Sequence, residues 1–321
     1  MTSIDVFNGD ADGICALQQL RLQTPQPDAR LITGVKRDIA LLDQLDAVAG
    51  CKLTVLDISL DRNREALQRL LQRNNQVFYA DHHYSGEIPA SPLLEAHIDP
   101  APTVCTSVII DRLLQGAFRL WAIAGAFGDN LDEVAHALAG TIDLDNGQRQ
   151  TLKEIGTLLN YNGYGLTLDD LLAHPADLFR EVNQYTDPFI FYQTSSLLPL
   201  LRQGYEEDML QAAQLKPASS HAGGRVFLLP ETAWARRVVG ILANRLSREQ
   251  PGLAHAVLLL RPDKTFLVSV RAPLTTRQGA DDLCRQFTTG GGRAAAAGIN
   301  QLPEQQLDHF IETFTHHFAS L

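Results

Sequence analysis

Acidic residues and two adjacent histidines follow apolar stretches in the first part of the chain. Asp10 and Asp12 lie in "NGDADG", after the apolar run "IDVF", and "FYADHHYSG" places Asp81, His82 and His83 directly after "QVFYA". Carboxylate oxygens and imidazole nitrogens are common ligands of divalent metal ions. The spacing therefore indicates that side chains from separate elements could share one metal site.

Two further aspartates occupy similar positions. Asp57 ends the strand-like "TVLDI", and Asp129 closes the apolar stretch "AIAGAFGDN". Each has a purely structural alternative, because Asp also caps helices and forms turns. Four carboxylates packed together repel one another and raise their own pKa values unless a cation compensates them. Two divalent ions roughly 3.5–4 Å apart would supply that charge and could support phosphoryl displacement by an activated water.

The acidic loop also resembles the start of a calcium-binding EF-hand. Asn8, Asp10 and Asp12 occupy the first, third and fifth positions of such a loop. Gln19 stands where calcium needs a bidentate Glu, and a strand rather than a helix precedes the loop. Two alternatives remain, which are a turn whose side chains cap the next helix and a metal pocket.

The candidate ligands require a scaffold that brings strand ends together. The β-prone runs "IDVF", "ARLITG" and "KLTVLDI" each precede a helical pattern, and "QVFYA" precedes the histidines. This alternation predicts βαβ units, hence an α/β domain with a parallel sheet and helices on both faces. Ligands bind beyond the carboxyl ends of such strands, which is where these residues fall. Residues 103–201 are predicted to be mainly helical.

A second, smaller α/β domain is predicted after the helical region. "AGGRVFLL" begins a new β-prone run, and "HAVLLLRP" and "TFLVSVRAP" follow a helical stretch. "KPASSHAGG" is typical of a linker. We predict a catalytic metal-binding domain over 1–203, a linker over 204–224 and a substrate-binding domain over 225–321.

Composition excludes some classes of protein. The net charge of −10 argues against a protein that coats long nucleic acid, so no long duplex partner is expected, while a small anionic substrate remains compatible. The four cysteines form no C-x-x-C pair, which argues against a disulfide framework or a zinc ribbon. No targeting segment and no apolar run of bilayer length is present, so we expect a cytoplasmic protein without a membrane partner. A homodimer is left open.

The ordered motifs resemble those of the DHH phosphoesterase superfamily. "NGDADG", "LDIS", "DHH" and "GAFGDN" are similar to its four successive motifs. "VSVRAP" around Arg271 and "GGGRAAAAG" from Gly290 to Gly298 resemble the DHH-associated (DHHA1-type) substrate-binding domain. The resemblance covers nearly the whole chain. Within the superfamily, the chain resembles RecJ-type and nanoRNase (oligoribonuclease-like) enzymes.

The resemblance implies two bound Mn²⁺ ions, with Mg²⁺ or Co²⁺ as alternatives. It implies, as metal ligands, Asp10, Asp12, Asp57, His82 and Asp129, with Asp57 bridging. Asp81 would orient a neighbouring imidazole, and His83 would face the scissile phosphate.

The second domain would hold the substrate. By the same resemblance, Arg271 would bind a terminal phosphate. Three glycines, Gly290, Gly291 and Gly292, would let backbone N–H groups approach phosphate or base.

Two positions depart from the family pattern. Many members have a histidine four residues before the first aspartate of the opening motif, where this chain has Val6. The glycine-rich motif usually continues with histidine, and here it continues with Arg293. Arginine can donate to phosphate or stack on a base, but it is not a near-neutral acid or base.

The sequence therefore predicts a manganese-dependent phosphodiesterase or exoribonuclease. It would hydrolyse very short linear oligonucleotides, such as pGpG-type dinucleotides or nanoRNA, to mononucleotides. Alternative enzymes are a nucleotide 3′-phosphatase of the pAp type and a cyclic-dinucleotide phosphodiesterase. A non-catalytic nucleotide-binding regulatory protein is an alternative of another class. The choice between RNA and DNA, and the preferred length and base, stay open.

Overall fold

The computed structural model describes residues 2–319, and the chain divides into two compact units between Gly204 and Tyr205. Each unit has its own sheet and its own hydrophobic core. The predicted α/β fold class is confirmed. Among the helices of residues 2–319, none has both the length and the apolar character needed to cross a bilayer.

The first unit is built on a five-stranded parallel sheet in the order β2-β1-β3-β4-β5. Its strands are β1 (Ser3–Asn8), β2 (Arg30–Gly34), β3 (Lys52–Leu56), β4 (Gln76–Asp81) and β5 (Leu94–Ile98). The four strands that the sequence predicts are present. The sequence analysis missed β5, because this edge strand is only partly buried and includes Glu95 and His97. It therefore lacks the continuous apolar run of a central parallel strand.

The strand order creates a crevice at the carboxyl edge of this sheet. The chain passes from β1 to β2 on one side and then returns to β3 on the other side of β1. Connections that leave two neighbouring strands in opposite directions open a space in which ligands bind. Asp10 and Asp12 follow β1, and Asp57 follows β3. The sheet thus positions three of the predicted ligands at its switch point.

Two helices connect strands of this sheet, and seven more make up much of residues 106–213, the last of which crosses the boundary between the two units. They are α1 (Ala11–Gln23), α2 (Leu60–Gln72), α3 (Thr106–Leu113), α4 (Arg119–Gly128), α5 (Asp132–Gly140), α6 (Asn146–Gly163), α7 (Pro175–Val182), α8 (Pro188–Thr194) and α9 (Leu198–Ala213). Short 3₁₀ turns cover Leu41–Leu45 and Leu168–Asp170. Helix α1 packs against β1 and against α3, α4 and α6, so nearly all of its residues are buried.

The second unit contains a six-stranded sheet in the order β10-β11-β9-β8-β7-β6. Its strands are β6 (Ser219–His221), β7 (Gly224–Leu229), β8 (Ala254–Leu260), β9 (Thr265–Arg271), β10 (Gly290–Arg293) and β11 (Ala296–Pro303). Only β7 and β8 pair in parallel. Its helices are α10 (Ala233–Glu249), α11 (Ala280–Cys284) and α12 (Leu307–Ala319), with a 3₁₀ turn at Glu304–Gln306. Phe310, Phe314 and Phe318, spaced four apart, form the core face of α12.

The segment 204–224, which the sequence predicts to be a linker, contains regular secondary structure. Helix α9 continues to Ala213, and β6 pairs in antiparallel register with β7, so that Ser220 lies opposite Arg225. Of the glycines in "KPASSHAGG", Gly223 lies in the tight connection of this hairpin and Gly224 begins β7. Polar and glycine-rich composition describes a turn and a linker equally well, so the pattern alone could not separate them.

A buried ion pair ties α1 to the sheet. Arg21 Nε donates to Asp5 Oδ2 at 2.8 Å, and Arg21 Nη2 donates to the Thr54 hydroxyl on β3 at 2.7 Å. The two charged side chains are 8% and 1% exposed. Because a buried carboxylate without a cation is unfavourable, this pair fixes the helix that begins at the acidic loop.

We expect Arg21→Met to lower the free energy of unfolding by about 3–5 kcal/mol, because Asp5 is left buried without a cation. The measurement is urea denaturation of the full chain followed by circular dichroism. Arg180→Met is the matched control, since its ion pair with Asp177 is more than half exposed on both sides. The control should cost less than about 1 kcal/mol. Equal effects of the two variants would contradict the role given to Arg21.

Candidate metal centre

The loop after β1 buries two carboxylates against helix N-termini. Asp10 caps α1, and its Oδ1 accepts the N–H groups of Asp12 and Gly13, each at 3.1 Å. The Asp12 carboxylate accepts the N–H groups of Thr106 at 2.7 Å and Ser107 at 2.8 Å, where α3 begins. Helix N-termini favour negative charge. The backbone therefore holds both carboxylates inside the protein.

The turn alternative for this loop describes Asp10 correctly, since that residue is the N-cap of α1. It does not describe Asp12, whose carboxylate faces the start of α3 instead of its own helix. A Cβ on Gly13 would lie 2.2 Å from the carbonyl oxygen of Asn8, so the tight entry into α1 requires a glycine. The EF-hand is not formed, because β1 leads directly into α1 across this loop.

Asp57 follows β3 in an unusual backbone conformation. Its φ is +59°, in the left-handed region that residues other than glycine rarely adopt. Its N–H donates to the carbonyl of Ala80 at 3.0 Å, and its Oδ1 accepts the hydroxyl of Thr106 at 3.0 Å. These two bonds hold the buried carboxylate at the edge of the sheet. Strain of this kind is often found at functional positions.

The two histidines of "DHH" make different contacts. Asp81 is the last residue of β4, and its Oδ1 lies 2.7 Å from His83 Nδ1. His82 instead turns Nε2 toward the carboxylates, 3.4 Å from Asp57 Oδ1 and 3.9 Å from Asp129 Oδ2. The imidazole beside Asp81 is therefore that of His83. The neighbouring imidazole of His82 lies within the carboxylate cluster.

Among residues 2–319, two groups of side chains have donor atoms close enough to share an ion. The first triad comprises Asp12, His82 and Asp129, and the second triad comprises Asp57, His82 and His83, each with donor atoms within 4.8 Å of one another. Asp129 reaches the first triad because it caps the C-terminus of α4. Mixed carboxylate and imidazole donors suit Mn²⁺ and related divalent ions. The residues present therefore fit a divalent metal, and His82 belongs to both triads.

The electrostatics of the cluster favour a bound cation. Burial, followed by the nearby Asp12 and Asp10 charges, raises the pKa of Asp57 well above its ordinary value. Burial also raises the pKa of Asp129, against the opposing effect of Lys36. Burial disfavours the charged form of His82, but the hydrogen bond and charge of Asp57 outweigh it and raise the imidazole pKa to about 10. Without another cation, the cluster therefore takes up protons.

Lys36 is a member of the cluster that the sequence analysis missed. Its ammonium forms an ion pair with Asp10, lies 3.4 Å from Asp129 Oδ1 and donates to Asn160 Oδ1 at 3.1 Å. Burial lowers the pKa of Lys36, but the charges of Asp10 and Asp129 outweigh it, and the pKa lies well above its ordinary value. Its position could have indicated this role, because Lys36 lies two residues after β2, at the same sheet edge as the aspartates.

Val6, which stands four residues before Asp10, lies in the interior of β1. It is fully buried in the hydrophobic core of the first unit, opposite Ile32 on β2 and Val55 on β3. An apolar side chain there packs in the core and offers no metal-binding atom.

In the second unit, Arg271 is held by its neighbours at the end of β9. Its Nε donates to Asn244 Oδ1 at 2.7 Å, and its Nη1 donates to the Ser269 hydroxyl at 3.1 Å. Arg271 lies opposite His255 on β8, which in turn lies opposite Arg225 on β7. These three residues form a lateral row across the sheet, of which the sequence analysis named only Arg271.

His255 in this row is a neutral imidazole. Burial and the adjacent Arg225 lower its pKa to about 4, and its Nε2 lies 3.0 Å from Arg225 Nη2. A neutral ring nitrogen can accept a hydrogen bond from the guanidinium. His255 thus orients Arg225 without adding a charge to the row.

The glycines of β10 are under different structural constraints. A Cβ on Gly290 would lie 1.8 Å from the carbonyl oxygen of Cys284, so the close packing of α11 against β10 requires that glycine. Gly292 has a φ of +155°, which favours glycine. A Cβ on Gly291 would meet no atom within 4 Å. Arg293 is the exposed last residue of β10 and pairs with Ala296.

In its fold, this chain is structurally similar to the RecJ-type α/β proteins. The manganese-bound exonuclease RecJ matches with a TM-score of 0.61 and 18% identity, over 99% of this chain and 90% of that chain. RecJ from Thermus thermophilus in complex with Mn²⁺ gives a TM-score of 0.64 and 19% identity, over 99% of this chain and 52% of that longer chain.

The same fold is found in a protein described as the pGpG-specific phosphodiesterase PggH from Vibrio cholerae. It matches with a TM-score of 0.56 and 13% identity, over 100% of this chain and 99% of that chain. No protein-family model and no curated protein matches this sequence. At these identities the structural likeness establishes the fold alone.

We expect Mn²⁺ to raise the melting temperature of the protein by several degrees and chelation to reverse the shift. Binding to the folded state contributes about 2.7 kcal/mol at a free ion concentration of 100 times Kd. His82→Ala should abolish the shift, because it removes the nitrogen common to both triads. His97→Ala is the control, since that histidine pairs with Glu95 on the edge strand β5. The melting temperatures are measured by differential scanning fluorimetry. A shift in His82→Ala as large as that of the wild type would contradict the assignment of His82 as a metal ligand.

Proposed function

We propose that this protein is a divalent-metal-dependent phosphoric ester hydrolase of the DHH superfamily. One observation carries the proposal: His82 belongs to both triads, and the triads lie at the switch point of a RecJ-type sheet. Asp12, Asp57 and Asp129 would provide the oxygen ligands. When bound, a divalent ion lowers the pKa of a coordinated water and neutralises charge on phosphoryl oxygens. Mn²⁺ fits the donor set best, with Mg²⁺ or Co²⁺ as alternatives.

His83 is the proposed proton donor and phosphate contact. Its Nδ1 is engaged by Asp81, whose carboxylate is fully buried, and its side chain is 42% exposed. A carboxylate that accepts from Nδ1–H fixes the tautomer and orientation of the ring. Nε2 is then the atom that can donate to the leaving oxygen. Asp81 acts through His83 and is a positioning residue.

We propose very short linear nucleotides as the substrate class, with pGpG-type dinucleotides and nanoRNA as the first candidates. The fold is shared with a pGpG-specific phosphodiesterase and with an exonuclease. A chain of net charge −10 lacks the excess of cations that tracking a long phosphate backbone needs. Hydrolysis of one phosphodiester bond in such a dinucleotide would release two mononucleotides.

The second unit is the proposed substrate-binding domain. Arg271 is pre-oriented by Asn244 and Ser269, which reduces the entropy that a phosphate contact would cost. Arg225 extends the basic row across the sheet. Strand β10 is an end strand of this sheet, so backbone groups of Gly291 can face a ligand. Arg293 on the same strand would donate to phosphate or stack on a base.

The central test is hydrolysis of pGpG by the purified protein with Mn²⁺, followed by chromatography of the products. We expect His82→Ala to lower kcat/KM at least about 100-fold through loss of metal and His83→Ala to lower kcat roughly 10²- to 10⁴-fold with metal retained. His97→Ala should keep wild-type activity. Longer RNA, single-stranded DNA, pAp and cyclic dinucleotides complete the panel.

The panel separates the alternatives. Faster cleavage of long strands would reject the short-substrate part of the proposal, and preference for pAp would favour a nucleotide 3′-phosphatase. Failure of a metal-loaded protein to hydrolyse any of these substrates would reject the enzyme and favour a nucleotide-binding regulatory protein.

Gly291→Ala tests the substrate contact of β10. We expect it to raise KM for pGpG about tenfold, equivalent to about 1.4 kcal/mol, because a methyl group would separate the backbone from the phosphate. The melting temperature should not change, since a Cβ there meets open space. Gly252→Ala is the matched control, because its Cβ also meets no atom within 4 Å. An unchanged KM in Gly291→Ala would remove Gly291 from the proposed binding site.

A further inference from the structure

Lys36 places its ammonium between Asp10 and Asp129 of the carboxylate cluster. Its ammonium contacts one oxygen of Asp10, lies 3.4 Å from Asp129 Oδ1 and 3.1 Å from the amide oxygen of Asn160. Two carboxylates and an amide oxygen thus surround a single positive charge. Oxygen-rich surroundings of this kind are also those that hard divalent cations choose.

Asp10 belongs to neither triad within residues 2–319. Its Oδ1 accepts the N–H groups of Asp12 and Gly13, and its Oδ2 is paired with Lys36. Both oxygens of Asp10 are therefore engaged by hydrogen-bond donors of the protein itself. The donor atoms that converge for an ion lie on the His82 side of the cluster.

The position of Lys36 is fixed along its whole length. Its backbone N–H donates to the carbonyl of Gly163 at 2.8 Å, and its carbonyl accepts the side-chain amide of Asn8 at 3.3 Å. Its ammonium also lies 5.7 Å from the centre of the Tyr164 ring. These contacts hold a long side chain in one place, so little additional ordering is needed to keep the ammonium beside Asp10.

Val6 offers no further ligand at this strand. It stands four residues before Asp10, and its apolar side chain is buried in the core. The cation beside Asp10 is therefore the ammonium of Lys36. A dication placed next to that ammonium would be repelled by it.

We propose that Lys36 takes the place of one of two divalent ions, so that this protein binds a single ion on the His82 side of the carboxylate cluster. The inference rests on the proposed function for the nature of the site. The ammonium neutralises Asp10 and Asp129 and can donate to a phosphoryl oxygen. It cannot activate a coordinated water, so that step depends on the single ion.

Metal content of the purified full-length protein tests this inference. After loading with Mn²⁺ and dialysis, we expect about one ion per chain by atomic emission, with the electron paramagnetic resonance signal of isolated Mn²⁺. Lys36→Arg keeps the positive charge and should also hold one ion. Lys36→Met removes the charge and should roughly double the Mn²⁺ content and produce the signal of two coupled ions.

Lys153→Met is the matched control. Lys153 also pairs with an aspartate, Asp132, and its ammonium also lies 5.7 Å from an aromatic ring, that of Phe127. It lies outside both triads, so its replacement should leave the Mn²⁺ content unchanged.

Two coupled ions in the wild-type protein or in Lys36→Arg would overturn the inference, and neither sample depends on the folding of Lys36→Met. A folded Lys36→Met that binds no more Mn²⁺ than the wild type would overturn it as well. Hydrolysis of pGpG is measured on the same samples. Hydrolysis with two bound ions would reject the inference alone, whereas one bound ion without hydrolysis of any substrate would reject the proposed function alone.

Discussion

The burial of several carboxylates at one sheet edge is the constraint on which the rest of the first unit depends. Like charges in a protein interior repel and are poorly solvated, so each needs donors or cations supplied by the fold. Asp10 receives the N-terminus of α1, and Asp12 receives that of α3. The buried position of α1 and its anchoring to the sheet through Arg21 follow from this requirement.

Much of this arrangement could be predicted because parallel strands end at a common edge. The apolar runs in the sequence predict β1 to β4. The residues that follow these strands lie at one edge of the sheet, as the parallel topology requires. Lys36 obeys the same rule after β2. Its sequence does not mark it, because an ammonium is not a metal ligand and a lysine is by default a solvated surface residue. Its position depends on Asn160 and Asp129, which no local pattern connects to it.

The conformation of individual residues was less accessible from sequence. "DHH" does not reveal which histidine Asp81 contacts, because that depends on how the chain leaves β4. The structure places His83 on Asp81 and His82 on the carboxylates. The left-handed backbone of Asp57 is similarly invisible in "TVLDI", since its stabilising bonds come from Ala80 and Thr106, both distant in sequence. Tertiary contacts decide both cases.

The glycine-rich stretch of the second unit shows why one motif can carry two kinds of constraint. Gly290 is required by the approach of the Cys284 carbonyl, and Gly292 by its own backbone angle, so both serve the fold before any ligand is considered. Gly291 has neither requirement. If phosphate binding explains a glycine in this motif, the explanation applies to Gly291. In the proposed binding site, anion recognition would then depend chiefly on the neighbouring row, where a neutral His255 orients Arg225 while Asn244 and Ser269 orient Arg271.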